Sequence, residues 1–153
     1  MTFPVGAHGM KKKKKDMADA EPHIVALSAQ ALSILRDDLM PLTGGGRFVF
    51  PGQLTTKRPM SENTVRSALI RLGFKDEQSA HGFRATARTI LAERLRVAPE
   101  VIEHQLAHAV KDPNGRAYNR TRFLEQRRTM MQTWSNYLDE LRNGGQAAPI
   151  MAA

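Results

Sequence analysis

Five side chains in the second half of the chain have the types and spacing to work on a phosphate: His81, Arg84 and Arg88, then His108, then Tyr118. The stretch HGFRATART, 81–89, sets a histidine and an arginine three apart and a second arginine four further on, so on an α-helix all three share one face. A guanidinium is a planar fork of donors that fits two phosphate oxygens, and an imidazole donates a further hydrogen bond or carries a proton. Tyr118 adds a hydroxyl ten residues after His108, just past the turn signal DPNG. A phenol with a pKa of about 10 attacks only where cations stabilise the phenolate and the charge that builds on the phosphorus oxygens. The set therefore reads as one phosphate clamp and one hydroxyl nucleophile.

Each residue also has a plainer reading. His81 and Arg84 make equally good members of a solvated cationic face, Arg88 a second phosphate contact or a surface residue, and Tyr118 an ordinary turn tyrosine. His104 and His108, four apart, have zinc-ligand spacing, but HQLAH lacks the glutamate of HExxH and has no evident third ligand, so no metal is expected. There is no Gly-rich phosphate loop and no carboxylate cluster, and no cofactor is expected.

Composition narrows the partner. The 153 residues, 41% hydrophobic, suit one modest domain with a core of its own, and a net charge of +8 favours a polyanion such as nucleic acid. The absence of cysteine excludes a disulfide framework and suits a reducing compartment. No apolar run approaches the roughly 18 residues of a membrane span, and the lysines follow a mixed segment rather than precede an apolar one, unlike a secretory signal. A soluble cytoplasmic protein is expected.

The elements that must position these groups follow from periodicity. Residues 2–5 read as a strand and Lys11 to Lys15 as a solvated charge run. HIVALS, 23–28, reads as a short strand, with Ser28 as N-cap of a helix over SAQALSILRDDLM that offers Leu32, Ile34, Leu35 and Leu39, together with Ile24, to a core. Pro41 and three glycines end that helix, and RFVF, 47–50, is β-prone. A second helix from Ser61 spaces Val65, Leu69, Ile70 and Leu72 helically, with Gly73 at its C-terminal end. A third, 81–95, turns Phe83, Ala87, Ile90, Leu91 and Leu95 inward. VAPEVIEHQLAH is a fourth, with Pro99 in its first turn. The last puts Leu124, Met131, Trp134, Leu138 and Leu141 on one stripe, with Met130–Trp134 as core and Tyr137 a plain helix residue, before a loose tail. The expected fold class is mainly α with a small antiparallel β-sheet.

HGFRATART, VIEHQLAHAV and DPNGRAYNRT, with PHIVALS, FVFPG and RPMSENTV upstream, resemble the tyrosine recombinases, or phage integrases, of the satellite-prophage and genomic-island type. The resemblance covers residues 21–142. It implies a truncated hairpin and lysine-rich segment over 1–20, the C-terminal part of an integrase catalytic domain over 21–143, and a tail over 144–153. By the same resemblance Tyr118 attacks a DNA phosphodiester, leaving a 3′-phosphotyrosyl link and a free 5′-hydroxyl. Arg84 then holds the nonbridging oxygens, and His81 and His108 donate hydrogen bonds and assist proton transfer, without ATP or metal. Arg88, Arg116 and Arg120 are expected to contact DNA, and Lys11 is the nominal match for the family's hairpin lysine, with the solvated run as the other reading of 11–15. The implied partners are double-stranded DNA and, in the full-length protein's synaptic complex, three further copies, at the bacterial nucleoid. The family's earlier catalytic arginine has no counterpart, which predicts a fragment that cuts DNA weakly by itself. An inactive DNA-binding remnant, or a module exchanging its last helix with an intact integrase, is the alternative expectation.

Overall fold

A computed structural model describes residues 2–3, 23–108 and 123–145. They are mostly helical, in the order β1 (Thr2–Phe3), β2 (His23–Ile24), α1 (Ala29–Ser33), α2 (Met40–Thr43), α3 (Thr64–Arg71), α4 (Ala80–Thr89), α5 (Pro99–Gln105) and α6 (Leu124–Arg142). Two wider-wound π-helical stretches continue the helices without a break, Ile34–Leu39 between α1 and α2 and Ile90–Arg94 after α4. Among the described residues no helix is long and apolar enough to cross a membrane.

Local chemistry explains where these helices start and stop. The Ser28 hydroxyl accepts from the Ala31 amide at 3.2 Å, and Ser79 accepts from the Gly82 amide at 2.9 Å, so α1 and α4 each begin on a serine cap. Pro41 does not end the first helix as expected. The π-wound turn ahead of it sends the Met40 amide to the carbonyl of Leu35, and the helix runs through the proline to Gly44, at φ +64°. The helix expected from Ser61 begins at Thr64, after a turn in which the Thr64 amide donates to the Ser61 carbonyl. Its end carries a Schellman pair, Gly73 donating to Ile70 and Phe74 to Leu69, with Gly73 at φ +92°.

The β-structure is smaller than expected. β1 and β2 pair antiparallel, Thr2 opposite Ile24 and Phe3 opposite His23, a ladder two residues long that falls short of the expected sheet. HIVALS leaves the ladder after Ile24 because other partners claim its backbone: Gln105 donates from Nε2 to the Ala26 carbonyl, and Ala26 and Ser28 are buried. RFVF is no strand either. Pairing moves past it to a loop in which Gly52 donates to Arg58, Met60 donates to Phe50, and Pro51 lies opposite Pro59. Prolines supply no amide, so only their neighbours can bond across.

The core gathers the π-wound end of α4, α5 and α6. Leu91, Val101, Ile102 and Met130 are buried together, with Leu95, Val97, Leu106, Phe123 and Trp134 packed around them. α1 lies on α6 through a polar seam in which Ser135 donates to Ser28 at 2.6 Å, and Gln30 bonds Gln132, Asn136 and Asp139. The buried face of α6 is turned from the expected stripe: Arg127, Met130 and Tyr137 are inside, and Leu138 is exposed. Arg127 and Tyr137 earn their places through partners that an apolar count misses. The Arg127 Nε donates to Gln105 Oε1 at 2.7 Å and an amino group to the Ile24 carbonyl. Tyr137 stacks on Trp134 and receives the Arg94 guanidinium 5.0 Å from its ring centre. Several residues expected inside instead face outward, among them Leu32, Ile34, Ile70, Leu72 and Phe83.

Candidate active site

Three of the residues expected to hold a phosphate lie where α4 meets the end of α5. Arg84 and Arg88, one turn apart on α4, are both exposed. His81 lies on the exposed first turn of the same helix, apart from the contacts that join Arg84, Arg88 and His108. His108 comes from the other side, and its position is a consequence of how α5 ends.

α5 closes on Leu106, after which Ala107 takes the left-handed conformation, φ +54°. The Ala107 amide then donates to the His104 carbonyl and the His108 amide to the Glu103 carbonyl at 3.0 Å, the bonding of a Schellman turn without its usual glycine. The chain folds back on its own helix, so residue 108 returns alongside residue 103. His108 Nδ1 consequently bonds Glu103 Oε2, while the other carboxylate oxygen accepts from Arg88 Nε at 2.7 Å.

Arg84 completes the set. An amino nitrogen donates to the Leu106 carbonyl at 2.7 Å and stands 3.3 Å from His108 Nε2. Two arginines four apart on α4 thus grip the end of α5 twice, Arg84 at residues 106 and 108, Arg88 at residue 103. Burial raises the Glu103 carboxyl pKa, but the hydrogen bonds from Arg88 and His108, with the Arg88 charge, outweigh it and hold the group below its ordinary value. An exposed pair of arginines beside an imidazole can receive an anion, and the ring can add or take up a proton.

Of the residues singled out in the sequence, the structure brings Arg84, Arg88 and His108 together. Lys11, Arg116, Tyr118 and Arg120 lie outside the described residues. His104 turns away from His108, its ring edge-on to Phe123 with centres 5.1 Å apart. Sequence reasoning missed Glu103, Gln105 and Arg127. Glu103 was in plain view within VIEHQLAH, but it meets a residue five places on only because the helix ends in a left-handed turn. An open groove lined by Ile24 to Leu27 and by Arg128, Gln132 and Asn136 of α6 contains none of the clamp residues. Its polar rim lacks the convergent cations of the α4–α5 junction, which is the better site for an anion.

Comparison with known proteins adds an independent line. The chain is 43% identical over 122 residues to prophage integrase IntA of Escherichia coli K12, a match covering 80% of this chain and 29% of that protein. It is 41% identical over 128 residues to prophage integrase IntZ of the same strain, covering 84% of this chain and 31% of the relative. The integrase of Enterobacteria phage P4 is 41% identical over 138 residues, 88% of this chain and 31% of the phage protein. The chain thus spans about 30% of the length of these curated relatives. No family model and no solved structure matches it.

Proposed function

We propose, from the premise that the chain belongs to the phage-type integrases, that it forms the part of a site-specific recombinase that holds and cuts a DNA phosphodiester. The observation that carries the reading is the meeting of Arg84 and His108 at 3.3 Å across two helices, both exposed; in this reading the two side chains share one phosphate. The names of the relatives supply the class of reaction, and the net charge of +8 suits a DNA partner.

In this reading a nonbridging phosphate oxygen draws the Arg84 fork away from the Leu106 carbonyl and His108. The guanidinium then neutralises the charge that grows on phosphorus as the nucleophile arrives. His108 Nε2, released from Arg84, carries a proton to or from the reacting oxygens, and His81 adds a donor from the first turn of α4. Tyr118 is the nucleophile: its phenolic oxygen bonds to phosphorus, the bond to the 5′ oxygen breaks, and that oxygen takes a proton to leave as a hydroxyl. The energy of the broken ester is kept in the 3′-phosphotyrosyl bond, so rejoining is the same step reversed with another strand's hydroxyl. Arg116 and Arg120, beside Tyr118 in sequence, contact the DNA backbone, and the work is done in the cytoplasm on double-stranded DNA by a tetramer of the full-length protein.

The test is a covalent-adduct assay. A full-length integrase carrying this sequence is incubated with a nicked duplex of its attachment site and run under denaturing conditions. An adduct that disappears in Tyr118→Phe is the expected result. An adduct that survives the substitution overturns the assignment of the nucleophile.

A further inference from the structure

The geometry points to Glu103 as the positioning residue of the site: it holds the His108 ring as the Nδ1–H tautomer, turns Nε2 toward Arg84, and takes Arg88 as its own counter-ion. What the imidazole acts on rests on the function proposed above. How the ring is held does not.

The tautomer follows from donors and acceptors. An ionised carboxylate only accepts hydrogen bonds, so the His108 nitrogen bonded to Glu103 Oε2 must bear a hydrogen. A guanidinium only donates, so Nε2, facing the Arg84 amino group at 3.3 Å, must offer its lone pair. The ring is therefore neutral, with its proton on Nδ1, set between an anion on one side and a cation on the other. A free imidazole in water favours the opposite tautomer, so the arrangement has to be imposed.

Glu103 is equipped to impose it. Both of its oxygens are occupied, one by Arg88 and one by His108, and its side chain is 21% exposed where that of Arg88 is 53% exposed. A plain surface ion pair would leave the carboxylate solvated and free to rotate. Here the Arg88 bond at 2.7 Å orients the carboxylate, the left-handed turn at Ala107 brings the His108 backbone beside residue 103, and the ring bonds Glu103 through Nδ1 and faces Arg84 through Nε2. When an anion draws Arg84 away, Nε2 becomes a bare acceptor aimed at the vacated space, and the carboxylate behind Nδ1 stabilises the imidazolium formed when Nε2 takes up a proton. Arg88, held by Glu103, thereby also serves the histidine.

The test is nitrogen NMR of the histidine side chains in the full 153-residue chain at mildly alkaline pH. His108, assigned through its loss in His108→Gln, is expected to show a protonated Nδ1 and a bare Nε2. Glu103→Ala returns the ring to the Nε2–H form of free histidine, Glu103→Asp restores the native form at least in part, and Arg88→Ala leaves the tautomer as it was. A His108 that is Nε2–H in the unaltered chain overturns the inference, whatever the variants do; so does a tautomer unchanged in Glu103→Ala. In the full-length enzyme Glu103→Ala lowers adduct formation on the order of 10–100-fold, the usual effect of removing an outer partner of a working imidazole, with partial rescue by Glu103→Asp. Loss of the adduct assay in Tyr118→Phe and loss of the tautomer in Glu103→Ala are separate results, so each proposal fails by itself.

Discussion

The Arg84 guanidinium joins two helices at the point where α5 ends, 2.7 Å from the Leu106 carbonyl and 3.3 Å from His108 Nε2. The same side chain satisfies a helix-terminal carbonyl and faces an imidazole, and so ties α4 to the end of α5.

Arg84→Ala in the full-length enzyme is expected to lower single-turnover DNA cleavage by about 10²–10³-fold, the range for loss of one preorganised donor to a developing charge. Arg84→Lys recovers little, because an ammonium cannot span two oxygens as a planar fork does. Thermal unfolding of the isolated chain changes slightly, since the bonds of Arg84 lie at an exposed junction and are worth about 1 kcal/mol. A variant that cuts at the native rate would remove the clamp from the mechanism.

Arg127 is 2% exposed and binds the Ile24 carbonyl and Gln105. Burial lowers its pKa, because removing a guanidinium from water disfavours its charged form. Arg127→Ala strands buried acceptors and leaves a cavity, and is expected to cost about 3 kcal/mol in urea denaturation. Arg128→Ala, one residue on in an exposed pair with Glu125, should cost under about 0.5 kcal/mol. Equal losses would show that Arg127 is solvated like its neighbour.

Ala107 holds the left-handed turn that brings His108 back to Glu103, at φ +54°. Ala107→Gly removes the Cβ penalty of that conformation and is expected to raise stability by up to about 1 kcal/mol, while His108 keeps its place. Ala107→Val does the reverse and loosens the site. Denaturation midpoints of the three chains, taken together, give the order Gly, Ala, Val.

His23 pairs with Gln105 in the fold, and its pKa is lowered, first by burial and then by the charges of Arg127 and His104, with the bond to the Gln105 carbonyl opposing. The unfolded chain therefore binds a proton near the ordinary 6.5 while the folded chain resists it until lower pH. Stability should be fully present above that pH and decline as pH falls from it through the folded pKa. Glu103, also lowered, contributes in the same direction at more acid pH, its share present above the ordinary 4.5 and lost below. Melting temperatures from pH 8 to 5 should fall for the native chain and flatten in His23→Gln; parallel curves would contradict the burial of this ring.

The sequence by itself determined that the chain is mainly helical and where several of its helices begin or end. The serine cap at 28, proline in the first turn of α5 and glycine after α3 are readable because each acts within a few residues of itself, whereas the serine cap at 79 emerged only in the structure. The spacing of Arg84 and Arg88 on one helix face is readable for the same reason. Only the tertiary structure decided which face of α6 is buried, because Arg127 and Tyr137 go inside to partners that lie 22 or more residues away. It also decided that RFVF forms no strand and that HIVALS serves the helices more than a sheet, since a strand needs a neighbour that composition cannot name. The role of Glu103 falls in the same class: five residues separate it from His108, but their contact depends on one backbone turn and on arginines delivered by another helix.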